Sequence, residues 1–436
     1  MKQTITIARM AALLGAVMLA ATLPAAAGRA EKNHSKQKTD LTQPHRYVNP
    51  TGDAFPVMAW YSLLGDQVTP DRYREMAAAG FNLSFSHFST ADEVAAAFDA
   101  CRGTGVKLLI MCGEMASDPE ATVRRFRREK DNAGYFLRDE PICDAFGELA
   151  AWARRIRSED DSRMLYLNLL PNYVSPRDLH ADSYADYVRR FIDEVGLGLV
   201  SFDHYPVTFD GLRPEFYANL EDIAAESRRA GVPFWAFALA TAHDPYPAAT
   251  RASLRLQVFS NLAYGAQGIQ YFTYTSPGTE VWNFHNAPID HEGLRTEVYD
   301  LLREINGCIH ALEDVFLGAR TLWVGHTGST IPKGTRPLGQ LPPQIRRVEA
   351  DGQGVLVSML QNGGKRYLMI VNRDLGREQR VTVETADGVR RVMPDGSRTD
   401  ASRYAQTLAV EAGDMLLFEL PGLTIRAAKR HGKRDN

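Results

Sequence analysis

The sequence predicts an α/β protein: a (β/α)8 TIM barrel followed by a small antiparallel β-sandwich. Three observations carry this. Eight short apolar stretches alternate with amphipathic helical stretches between about residues 55 and 274, which is the arithmetic of a barrel of roughly 250 residues. Glycines stand at or just ahead of several of those stretches (Gly80, Gly105, Gly231 and Gly268), where they can end a helix in the left-handed conformation. Beyond residue 321 helical periodicity gives way to short strands separated by turn residues such as Gln361-Asn362-Gly363-Gly364, the pattern of a sandwich. An open doubly wound sheet is the alternative, but no Gly-rich phosphate loop follows the first strand.

The chain begins with Lys2 and Arg9, an apolar run from Met10 to Leu23 and the small residues Ala25-Ala26-Ala27. That is the layout of a secretory signal peptide over residues 1–27. The run is short for a membrane span, and no Cys follows it as in a lipoprotein. The mature protein is expected to be periplasmic or secreted. Residues 28–45 are polar and nearly free of large apolar groups, so a disordered leader is expected.

The barrel is expected over 46–317. Its strands are read at 55–61, 81–88, 106–112, 134–137, 164–169, 197–202, 233–239 and 268–274, because each is an apolar run of strand length. The intervening helices are read at 69–79, 91–102, 120–129, 144–158, 183–195, 214–230 and 250–264, with a closing helix over 294–312. The sandwich is expected over 318–423, with strands at 321–324, 354–360, 366–372, 379–385, 389–394, 406–410 and 414–420, and residues 424–436 as a disordered basic tail.

Composition excludes little. With 44% hydrophobic and 24% charged residues and a net charge of -3, the chain is ordinary for a globular protein and gives no reason to expect nucleic acid. No segment after the signal reads as transmembrane. The spacing of Cys101, Cys112, Cys143 and Cys308 matches no zinc pattern, so these are expected as core residues. No metal or other cofactor is expected.

In this fold chemistry sits at the C-terminal ends of the strands. The fourth strand, Gly134 to Leu137, ends abruptly in Arg138-Asp139-Glu140-Pro141. Charges leaving a core need partners or water, which makes sense if this strand opens into a wet cleft. The other ends supply Trp60, His87, Glu114, Asn168, Asp203-His204-Tyr205 and Tyr274, with Trp282 on the loop beyond. Carboxylates, an amide, imidazoles, a guanidinium and aromatic rings on one rim are the inventory of a sugar site. Carboxyls do the acid–base or nucleophilic work, Asn, His and Arg bind hydroxyls, and Trp and Tyr stack on sugar faces. His87, His204 and His243 could cluster around a metal, but no HxH or HExxH spacing supports that.

At these residues the sequence resembles the glycoside hydrolase clan A superfamily, nearest to the family 42 β-galactosidase type and exported relatives of it. Glu140 in RDEP matches the acid/base glutamate that ends the fourth strand in that clan, with Asp139 where the clan has Asn. Residues 254–274, LRLQVFSNLAYGAQGIQYFTY, look like the family 42 segment entering the eighth strand. The resemblance implies an exported hydrolase of an oligo- or polysaccharide, with Glu140 as general acid/base. It also implies a nucleophilic Glu at the end of the seventh strand, and here this chain departs: PFWAFALATAHDP contains no Glu, and Asp244 comes late. Asp203 is the favoured second carboxylate, with Asp139 and Glu114 as rivals. The empty position tilts the expectation toward an inverting arrangement. The alternatives are a carbohydrate-binding pseudoenzyme that kept the cleft, and an envelope adhesion protein, which leaves the polar rim unexplained.

Overall fold

The structure, a computed structural model, describes residues 40–41, 43–401 and 406–422. The expected signal peptide, most of the expected leader and the expected tail lie outside the described residues.

Eight parallel strands form one sheet: β1 (Val57–Trp60), β2 (Leu83–Phe85), β3 (Lys107–Ile110), β4 (Asn132–Asp139), β5 (Met164–Asn168), β6 (Val200–Phe202), β7 (Phe234–Leu239) and β8 (Ile269–Phe272). The order is β5-β4-β3-β2-β1-β8-β7-β6. A parallel bridge between Leu169 and Phe202 joins the two ends, and the Leu169 N–H donates to Ser201 O at 2.8 Å. The sheet is therefore a (β/α)8 barrel. Strand alternation sends Ala59, Leu108, Leu165, Leu167 and Ala236 outward to the helices. It sends Met58, Trp60, Phe85, Phe136, Tyr166 and Phe237 into the lumen. Trp60 sits at the centre of that inner layer, with ring centres 4.2 Å from Phe85 and 5.1 Å from Phe237.

The main helices are α1 (Pro70–Ala78), α2 (Ala91–Cys101), α3 (Pro119–Phe126), α4 (Phe146–Glu159), α5 (Tyr184–Arg190), α6 (Phe216–Ala230), α7 (Arg251–Tyr264) and α8 (Glu297–Ala311). Local chemistry sets their starts: the side chains of Thr69, Thr90, Asp118, Ser183, Thr250 and Thr296 each accept a first-turn N–H, as N-caps do. Gly231 ends α6 at φ +69, where a side chain would be strained.

The second region has a six-stranded antiparallel sheet and a three-stranded one. Their strands are β9 (Arg320–His326), β10 (Ile345–Ala350), β11 (Val355–Asn362), β12 (Lys365–Asn372), β13 (Gln379–Thr385), β14 (Arg390–Val392), β15 (Arg398–Asp400), β16 (Gln406–Val410) and β17 (Met415–Leu420). The orders are β9-β11-β12-β17-β14-β15 and β10-β13-β16. One face of the larger sheet packs on the smaller (Val357, Met359, Ile370 and Phe418 against Val348, Val381 and Val383). Its other face shares the outer core of the barrel through Leu356, Leu360, Met369 and Leu417. Helix α7 lies between, and Ser358 Oγ donates to Ala263 O at 2.6 Å. Being covered on both sides is why α7 is buried without a break from Leu256 to Tyr264.

Two expectations need correction. The body does not begin at residue 46: His45 is buried, with Nδ1 3.2 Å from Asp161 Oδ1 and Nε2 2.8 Å from Arg163 O. The expected leader is thus tied down at its end by polar contacts. Strand β10 was not expected at all, because IRRVEA carries three charges in six residues. The four cysteines are free thiols, with Cys101, Cys112 and Cys143 buried. No helix among the described residues is long and apolar enough to cross a membrane.

Candidate active site

The site is made by an irregularity in β4. Phe136 pairs with Tyr166, but the next pair is Asp139 with Asn168. Three steps along β4 oppose two along β5, so β4 carries one extra residue there. Without it, alternation from Phe136 would turn Arg138 into the lumen. A bulge re-aims the side chains beyond it, and here it brings in Asp139 and leaves Arg138 exposed. Arg138 is therefore not in the cleft, contrary to expectation. The next residue, Glu140, has φ +47, a left-handed conformation that a side-chain-bearing residue rarely adopts and that clusters at functional sites. Its N–H is fixed on Asn168 O at 2.8 Å.

Three carboxyl groups converge at this point. On β6 the lumen-facing parity of Ser201 continues to Asp203, which is buried. Asn168 Nδ2 donates to Asp203 Oδ1 at 2.8 Å and lies 3.2 Å from Asp139 Oδ1. The Glu140 and Asp203 carboxyls lie close enough to act on one another electrostatically. Asp139 and Glu140 remain half-buried, open to a ligand from above. Among the described residues none of the three has an ion-pair partner. Carboxyls packed together without a cation cannot all ionise near neutral pH. Burial first, then the Asp203 charge, pushes Asp139 up to about 7. Burial pushes Asp203 up to about 6, with the hydrogen bond from Asn168 pulling the other way. Burial and the charges of Asp203 and Asp139 raise Glu140 well above the carboxylate range. Among the described residues no donor reaches the Glu140 carboxyl, so it is the member that keeps its proton.

Below the carboxyls a polar plug fixes Asn168. Ser201 Oγ donates to Asn168 Oδ1 at 3.0 Å and accepts from Gln270 Nε2 at 2.8 Å. The Tyr166 hydroxyl lies 2.7 Å from Ser201 Oγ and donates to Gln270 Oε1. With Asn168 Oδ1 committed downward, its Nδ2 must face the carboxyls. Tyr166, Ser201 and Gln270 were not picked out from the sequence, although their lumen-facing parity within apolar strands was there to be read.

The remaining expected residues divide. Tyr205 belongs to the site: its ring lines the mouth 5.8 Å from Tyr246 and 5.7 Å from Phe272. His87 stands on the rim, 4.8 Å from Phe85 and 6.4 Å from Trp60 between ring centres. Trp60, 3% exposed, is the floor beneath the cleft and offers no stacking face. Trp282 is half-buried on the loop after β8. Three others are turned away. Glu114 Oε2 accepts the Ala91 N–H at 3.0 Å, a carboxylate at the positive end of α2. His204 follows Asp203 and so faces outward, buried, with Nδ1 3.1 Å from Asn219 Oδ1. Burial pushes its imidazole down to about 3, so it stays neutral. Tyr274 is buried on the outer side against Phe81, because the chain leaves the ladder at Thr273, whose N–H bonds to Thr241 Oγ1 at 3.0 Å.

At the end of β7 the chain offers Ala240 and Thr241, both buried, and Asp244 is exposed. No carboxyl reaches the cleft from this strand. His87, His204 and His243 do not converge, and among the described residues no group of three His, Cys, Asp or Glu is placed to hold a metal ion.

No protein-family model matches the chain, and no curated protein matches it. Solved structures do. A β-galactosidase from Bacillus circulans sp. alkalophilus aligns with a TM-score of 0.57 at 9% identity, over 84% of this chain and 99% of the other. A GH27 β-L-arabinopyranosidase from Geobacillus stearothermophilus aligns at 0.48 and 10% identity, over 86% and 98%. An endo-β-1,4-mannanase from Thermotoga petrophila aligns at 0.43 and 11%, over 82% and 97%. What this chain shares with the first of these, at 9% identity, is the fold.

Proposed function

We propose that this chain is an exported glycoside hydrolase that cleaves a glycosidic bond in an oligo- or polysaccharide. One observation carries the reading: Glu140 and Asp203, from the ends of β4 and β6, converge with Asp139 around Asn168 at the barrel mouth, with no ion-pair partner among the described residues. Glycoside hydrolysis needs one protonated and one ionised carboxyl flanking the scissile bond, and environments that push two pKa values apart assign those roles. Glu140, without a donor to its anion among the described residues, is the general acid. Asp203, held by Asn168, ionises first and acts as nucleophile or base. Asp139 is the third member and tunes the pair through its charge.

Retaining enzymes place the two groups about 5–5.5 Å apart and inverting ones about 6.5–9.5 Å, so the configuration of the first-formed sugar tells whether Asp203 acts as nucleophile or as base. The likeness to family 42 rests on Glu140 and on residues 254–274. It does not extend to β7, so the second carboxyl is proposed to come from β6. Lys2, Arg9 and the apolar run after them support export.

A second reading, a carbohydrate-binding pseudoenzyme, is favoured by Ala240 and Thr241 standing at the end of β7. Purified protein screened against aryl glycosides and plant and bacterial polysaccharides separates the two. Hydrolysis of any of these substrates supports the proposal. Binding without turnover on every glycan supports the second reading.

A further inference from the structure

Arg213 is a cation at the mouth of the barrel that no acidic side chain among the described residues pairs with. It follows a small hairpin, Val207–Thr208 paired with Gly211–Leu212, and its N–H is fixed on Pro206 O at 2.7 Å. Its guanidinium carbon lies 4.7 Å from the ring centre of Tyr173 and 5.6 Å from that of Tyr246, with Nη2 3.4 Å from the Tyr246 hydroxyl. Among the described residues it has no ion pair, and its buried Nε has no hydrogen-bond partner. Tyr173 stands within electrostatic reach of both Arg213 and Glu140, and Tyr246 within reach of both Arg213 and Asp203. The two tyrosines therefore lie near both the cation and the carboxyl cluster.

A half-buried guanidinium without a counter-charge is unfavourable. Stacking on rings occupies its faces and Nη2 reaches the Tyr246 hydroxyl, which leaves Nη1 and the second Nη2 hydrogen for a planar or tetrahedral oxyanion. On the same hairpin, Phe209 is 70% exposed, and its N–H donates to Pro245 O at 3.2 Å. The hairpin therefore leans over the loop after β7 and presents a ring face to the solvent.

We infer that Arg213 forms a subsite for an anionic substituent on a sugar, a uronate carboxylate or a sulfate ester, beside the Glu140–Asp203 pair. Phe209 stacks on a neighbouring sugar of the same chain. The substrate class is then acidic glycans. This inference rests on the sugar-cleft reading above and narrows it.

The test is calorimetric titration of the Glu140→Gln protein, which cannot use its acid, with short oligomers of galacturonate, glucuronate and mannuronate. Their neutral counterparts and 6-sulfated galactose and glucose oligomers complete the panel. At low salt at least one acidic oligomer should bind about tenfold or more tightly than its neutral counterpart, as a charged hydrogen-bonded contact warrants. The preference should shrink in 0.5 M salt and vanish in Glu140→Gln/Arg213→Met. Arg213→Lys should restore only part of it, because an ammonium lacks the planar fork. The carboxylate and sulfate arms identify the group. No acidic preference anywhere in the panel overturns the inference, as does a preference that survives Arg213→Met. If Arg213→Met fails to fold, the first comparison on Glu140→Gln alone still decides. An Arg213-dependent acidic preference with no hydrolysis by the unmodified enzyme would keep the subsite and remove the hydrolase. Hydrolysis of neutral glycans with no acidic preference would do the reverse.

Discussion

Replacing Asp139 by Asn should stabilise the protein in alkali and not in acid. Asn has the same shape and can still accept from Asn168 Nδ2, 3.2 Å from the present Oδ1. What it removes is a charge crowded against two other carboxyls. The Asp139 carboxyl is raised from 3.8 to about 7. Because its folded value lies above its unfolded one, the stability it contributes is complete below about pH 4. That stability is lost as the pH climbs through about 7. The full difference corresponds to roughly 4 kcal/mol above pH 7. Water reaching the half-buried group and rearrangement within the cluster reduce it, so a gain of about 1–4 kcal/mol is expected. In a chain of this size that is a rise in melting temperature of about 2–6 °C. Thermal unfolding of both proteins at pH 8.5 and pH 4.5 measures it: the variant should melt higher at pH 8.5, and the difference should shrink toward zero near pH 4. A variant no more stable than the parent at pH 8.5, or a gain equal at both pH values, would refute the crowding of uncompensated carboxyls.

Asn168→Leu removes the donor to Asp203, a charged hydrogen bond of about 1.5–3 kcal/mol, and should move the acid limb of kcat/KM upward by about 1–2 pH units. The pH–rate profile of the variant shows this, and an unmoved limb would mean that Asp203 is not the group titrating there. Arg138→Ala should leave kcat/KM within about twofold and stability within about 0.5 kcal/mol, because the bulge turns Arg138 out to solvent. Steady-state kinetics and thermal melts check both.

The barrel was legible because parallel strands covered on both faces read as unbroken apolar runs. Phe234–Leu239, FWAFAL, is buried at every residue. The carboxyl pair was legible because strand ends are where this fold does chemistry, and Glu140 and Asp203 stand at two of them. What the sequence could not show is which way each rim side chain points. A single bulge in β4 exchanges Arg138 for Asp139, and nothing in the run FLRDEP marks it. Tyr274 has the parity of the lumen residues Gln270 and Phe272, yet the turn at Thr273 puts it outside. His204 was avoidable, since alternation from Ser201 and Asp203 already sends it outward. Polar anchoring is equally hard to read: His45 is held by Asp161 and a backbone carbonyl, partners more than a hundred residues away. The charged strand Ile345–Ala350 looks like loop because its exposed face dominates its composition.

Glu140 is proposed to donate the proton to the leaving sugar, and one substitution tests that role. Glu140→Gln keeps the shape of the side chain and removes the acid. On a natural glycan with a poor leaving group, turnover should fall by roughly 10²–10⁴-fold, the usual contribution of general acid catalysis, while binding of the same glycan persists. Unchanged hydrolysis of that substrate by Glu140→Gln would contradict the account.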